Sequence, residues 1–115
     1  MASCLPAALT VDPASASPND AVQLHSAGFP CGYRYPAGHR YEISLTNLKK
    51  PYSQRLGSYP VDRDGHFAAE VKVPADAPSG LSELTVVAGS PLNERPCPSG
   101  ASCAGYGVGI LILGQ

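Results

Sequence analysis

Residues 61–74 read Val61-Asp62-Arg63-Asp64-Gly65-His66-Phe67-Ala68-Ala69-Glu70-Val71-Lys72-Val73-Pro74, and this stretch decides the fold class. Phe67, Ala69, Val71 and Val73 alternate with Ala68, Glu70 and Lys72. A period of two buries one face of an extended strand and leaves the other wet, whereas a helix would scatter the same apolar residues around its axis. Ahead of the alternation, Asp62-Arg63-Asp64-Gly65 is turn chemistry, read as a hairpin turn with Gly65 at positive φ. The same period recurs on both sides. Leu9 and Val11, Val22 and Leu24, and Tyr41, Ile43 and Leu45 (against Glu42, Ser44 and Thr46) precede it. Leu84, Val86 and Ala88 (against Glu83 and Thr85) and then Val108, Ile110 and Ile112 follow it. A weaker strand, Arg55 to Val61, contains Pro60, which suits a sheet edge. The separators Ser15–Asp20, Lys49–Tyr52 and Pro74–Gly80 are turn-forming clusters. Seven short strands at this spacing predict an all-β Greek-key β-sandwich.

Composition agrees. Glycine and proline number 12 each in 115 residues, and the longest run free of both is His39 to Lys50. Proline breaks a helix interior and glycine weakens it, so long helices are excluded. The length suits one domain, expected over residues 8–115 behind an N-terminal segment 1–7. A net charge of −1 with no basic block argues against nucleic acid and against an anionic membrane surface as partners. The apolar stretch Val108 to Leu113 is far too short to cross a membrane.

Successive strands of a sandwich alternate in direction, so the loops fall at two ends. One end collects the N-terminus, Phe29–Arg40, Asp62–His66 and Ser90–Gly105. The other collects Pro13–Ala21, Lys49–Arg55, Pro74–Leu81 and the C-terminus. All four cysteines, Cys4, Cys31, Cys97 and Cys103, land at the first end. An even count in Pro/Gly-rich loops favours two disulfides and an exported protein. The expected pairs are Cys97 with Cys103, closing a short loop, and Cys4 with Cys31; a crossed pairing is also open at this end. Zinc is disfavoured, because there is no CxxC and no histidine pair at ligand spacing. Met1-Ala2-Ser3 is too short to be a signal peptide. Ala2-Ser3-Cys4 resembles the end of a bacterial lipobox, so a lipid-anchored Cys4 is the alternative to its disulfide.

The loop Phe29–Tyr41 is the richest candidate site, with three tyrosines, two arginines and a histidine. Tyrosine and arginine are the side chains enriched at binding hot spots, and tyrosine gives contact area at low entropy cost. The expected binding residues are Tyr33, Arg34, Tyr35 and His39, with Arg95 from the long loop at the same end. The competing view is a loop packed on itself. Asp62-x-Asp64-Gly65 looks like the start of a calcium loop, but the twelfth position, where a bidentate Glu belongs, is Val73. His25 should face solvent, and His39 with His66 makes a weak metal or acid–base site, having only Asp64 and Glu94 as acidic candidates. No serine lies in a nucleophile elbow. Tyr52 with Lys49 and Lys50 reads as a solvated turn. Leu111 and Leu113 point outward and suggest a partner or a covering loop. No cofactor and no catalytic residue is expected.

Two resemblances add to this. Leu9-Thr10-Val11-Asp12-Pro13-Ala14-Ser15 with Ala27-Gly28-Phe29, and Val61–Phe67 with Val71–Gly80, resemble the TVxP, GxGF and DxDGxF…VxVPxDAxxG signatures of bacterial Ig-like domains common in exported actinobacterial proteins. That resemblance covers roughly residues 8–88 and implies an immunoglobulin-like sandwich, export and, with the early cysteine, a small lipoprotein. Pro18-Asn19 stands where the family has Pro-Gly. The Leu9–Pro13 run and the Cys97-Pro98-Ser99-Gly100-Ala101-Ser102-Cys103 loop also resemble, more distantly, the neocarzinostatin-type enediyne-binding apoproteins, although their second loop-closing disulfide has no counterpart here. The expected function is thus a non-catalytic, secreted or cell-surface module that binds a protein or cell-envelope component through its Tyr/Arg-rich loop end. The alternatives are a carrier of an apolar small molecule and a structural spacer.

Overall fold

The computed structural model describes residues 7–89 and 106–114. Among them there is no helix; eight strands form two sheets in a sandwich-like arrangement. They are β1 (Thr10–Asp12), β2 (Ser15–Ala16), β3 (Ala21–Ser26), β4 (Arg40–Asn47), β5 (Ser53–Pro60), β6 (Phe67–Lys72), β7 (Gly80–Ala88) and β8 (Tyr106–Ile112). One sheet runs β1-β3-β6 and the other β2-β8-β7-β4-β5.

Eight rather than seven strands result because the first one divides. β1 pairs antiparallel with β3, the chain passes Pro13, and β2 then pairs parallel with β8 in the opposite sheet. Proline has no N–H to continue a ladder, so the break falls where pairing must lapse. Pro60 ends β5 at the edge of the five-stranded sheet, as its ring chemistry requires. β3 and β6 keep strict alternation, each burying every second residue. β4 does not: Ile43, Ser44 and Leu45 are all buried. The ladder slips between Ile43 and Ser44, where Gly57 and Arg55 are the partners and Leu56 is the extra residue. Ser44 nevertheless stays on the outer face, opposite Thr85 and Arg55, where its small side chain is covered in the middle of the sheet.

The core between the sheets is built from Val22, Leu24 and Val71 on one side and Ile43, Leu45, Leu84, Val86, Ile110 and Ile112 on the other. Each such side chain contributes roughly 1.5–3 kcal/mol by leaving water. Tyr41 and Phe67 close the core towards the loop end, with ring centroids 5.1 Å apart. Asp62–His66 corrects one expectation. Gly65 does take positive φ (86°), but β5 and β6 belong to different sheets, so this turn is a crossover and not a hairpin.

Candidate functional site: the aromatic loop end

The Phe29–His39 loop links β3 to β4 and is laced to the Asp62–His66 turn. Phe29 N–H donates to Asp64 O (2.8 Å), and Tyr35 N–H donates to Arg63 O (2.7 Å). The Arg63 guanidinium Nε–H returns a bond to Tyr35 O (3.0 Å), and Val61 N–H donates to His39 O (3.1 Å). Two glycines allow this approach. A Cβ on Gly28 would lie 2.6 Å from Asp64 O, and one on Gly65 would lie 2.6 Å from Phe29 Cδ2.

Inside the loop the rings pack in sequence. Phe29 meets Tyr33 at 4.8 Å and Tyr35 at 5.0 Å, and Tyr35 stacks on His39 at 3.9 Å. The Tyr35 and Tyr41 hydroxyls share a buried 2.7 Å hydrogen bond. Burial of Tyr41, reinforced by that bond, holds its phenol well above the ordinary tyrosine range. Burial likewise raises Tyr106, with a hydrogen bond from Ser26 opposing the shift. Tyr106 Oη–H donates to Ala7 O (2.6 Å), which Ser26 Oγ–H also reaches (2.9 Å). A buried tyrosine needs a partner for its hydroxyl, and here the partners tie three segments together.

The expected binding residues therefore separate. Tyr33 is 47% exposed, and Arg34 is also exposed. Tyr35 is 3% exposed, which corrects the expectation that it belongs to a surface patch. Its ring is occupied by Phe29, His39 and Tyr41, so its role is to anchor the loop. His39 is half-buried, with Nε2 bonded to Gly89 O (2.5 Å), and so braces the loop against the end of β7. Arg95, Cys4, Cys97 and Cys103 lie outside the described residues. Cys31 sits exposed in the loop and carries no free thiol. Tyr41 positions this end together with Arg63 and Tyr106, two residues that the composition of the loop does not mark.

His25 faces solvent and bonds Thr10 Oγ1. His66 lies 3.6 Å from Asp62 and takes its backbone N–H bond to Asp64 Oδ1 (3.0 Å), an ordinary Asx turn. Among the described residues no three His, Cys, Asp or Glu side chains converge on a possible metal position. With no helix among the described residues, none is long and apolar enough to cross a membrane. At the opposite end the Lys49–Tyr52 turn is tied rather than loose. Asn47 Oδ1 accepts from Lys49 and Lys50 N–H, and Tyr52 Oη–H donates to Asp76 (2.9 Å). Burial and that bond push the Tyr52 phenol up to about 12. Leu111 and Leu113 are exposed at 44% and 42%.

Neither a protein-family model nor a curated protein matches this chain.

Proposed function

We propose that this chain is an exported, non-catalytic immunoglobulin-like module that binds a protein or cell-envelope component through Tyr33 and Arg34. The observation that carries the reading is the contrast between these two exposed side chains and the locked residues on either side, Phe29 and Tyr35. A contact pair held on a rigid loop loses little entropy when a partner arrives, and that preorganisation converts directly into affinity.

The strand order supports the immunoglobulin-like reading. β1, β3 and β6 form one layer, β8, β7, β4 and β5 the other, and the divided first strand serves both. Cys31 carries no free thiol, and in this reading it pairs with Cys4, which leaves Cys97 to Cys103.

The test is retention of the purified chain on an isolated actinobacterial cell envelope, proteins included, against the Tyr33→Ala/Arg34→Ala variant. Loss of a hot-spot pair should weaken retention about thirtyfold or more with the melting temperature unchanged. Equal retention of both proteins, or no retention of the parent, would refute the reading.

A further inference from the structure

Each of the two sheets ends in two edge strands, and a bare edge invites pairing unless something blunts it. β1 has three residues and β2 has two, too few to template a partner. β5 is longer, but its ladder slips at Leu56 and it ends at Pro60, so its outer side is irregular. β6 differs from all three. It runs six residues without proline, glycine or a register shift, and among the described residues it pairs on one side only, with β3.

The alternation of an antiparallel ladder identifies which backbone groups of β6 are unspent. Val73 N–H donates to Asp20 O, so Val73 turns its peptide groups towards β3, as do Val71, Ala69 and Phe67. Ala68, Glu70 and Lys72 then direct their N–H and C=O outward along the sheet plane. Their side chains occupy the wet face of the sheet, and all three are exposed.

We infer that β6 is the docking edge for a second copy of this chain, the two β6 strands pairing antiparallel about a twofold axis through Val71. In that register Glu70 of one copy lies opposite Lys72 of the other, and Lys72 opposite Glu70. Both are hydrogen-bonding positions, so four backbone bonds close across the axis. Both pairs are oppositely charged on one wet face, where directly opposed side chains interact most strongly. Shifting the strands by two residues sets Glu70 against Glu70, so the charges select the register as well as the partner. The product is a continuous six-stranded sheet. The antiparallel pairing directs the two aromatic loop ends in opposite directions and leaves Tyr33 and Arg34 outside the junction.

Sedimentation equilibrium of the full chain over micromolar to millimolar concentration tests this. The parent should self-associate to a dimer. Lys72→Glu and Glu70→Lys should each weaken the dimer about tenfold or more, since two attractive pairs become two repulsive ones. The Glu70→Lys/Lys72→Glu swap should restore it, because the reversed charges remain complementary in the same register. Thermal melts check that each variant is folded. As an independent variant, Lys72→Pro deletes an N–H that faces away from β3 and pairs with none of the described residues, and it should abolish the dimer. A parent that stays monomeric throughout, or a swap no better than the single variants, would overturn the inference.

Discussion

The Tyr35–Tyr41 hydroxyl pair yields the sharpest prediction, because one atom can be removed from either side without changing shape. Tyr41 is fully buried, and its hydroxyl meets that of Tyr35 at 2.7 Å. Tyr35→Phe leaves the Tyr41 hydroxyl desolvated and deprived of this bond, a state that costs about 1–3 kcal/mol. For a chain of this size each kcal/mol lowers the melting temperature by about 4 °C, so the expected fall is about 4–12 °C. Tyr35→Phe/Tyr41→Phe removes both hydroxyls and keeps both rings, and an apolar pair of the same shape is close to neutral. The double variant should therefore cost less than the sum of the two single variants by about 2 kcal/mol or more. Urea denaturation of the four proteins, followed by circular dichroism, measures this directly. Hydrogen exchange adds a local readout: in Tyr35→Phe the Tyr35 amide bonded to Arg63 O should exchange faster than amides in β3. If Tyr35→Phe melts with the parent, or the double variant costs the full sum, the hydroxyl pair does not hold the loop to the sandwich.

Gly28→Ala should destabilise the fold by about 2 kcal/mol or more, since Gly28 has φ 96° and its added Cβ would press on Asp64 O; a melt within 1 °C of the parent would contradict the tight loop–turn contact. Alkaline pH should weaken the protein from pH 10 upward. The folded state keeps Tyr41 and Tyr106 protonated above the 10.0 at which an unperturbed phenol ionises, so the unfolded chain releases those protons first. Stability from these groups is complete below pH 10; above it Tyr41 contributes a fall of about 1.4 kcal/mol per pH unit, and Tyr106 adds to the fall in the same direction. Tyr52 adds to the loss only between pH 10 and about 12. Urea midpoints across this range check the sign, and ionisation of all six tyrosines near pH 10 in a chain that stays folded would refute it.

What could be read from the sequence follows from how much of each element's burial is periodic. β3 and β6 are half-buried along their whole length, so Val22, Leu24, Phe67, Ala69 and Val71 mark the core face by spacing alone. β2 has two residues inside a turn cluster and pairs with β8 almost a hundred positions away, so no local period could reveal it. Ser44 was hidden for another reason: it lies on the outer face opposite Thr85 and Arg55, and its burial there comes from the strands flanking β4 rather than from any period within β4. The loop end shows the limit most clearly. Tyr33 and Tyr35 are chemically identical, two residues apart, and both touch Phe29. Composition marks them as a pair, and alternation would put them on one side. What separates them is Arg63, 28 positions along the chain, which takes both the N–H and the C=O of Tyr35 and turns that residue inward onto Tyr41. The same loop-to-turn contact requires Gly28 and Gly65, whose Cβ atoms would otherwise occupy the space between the two segments. That close approach of two loops decides which tyrosine is locked inward and which is left exposed.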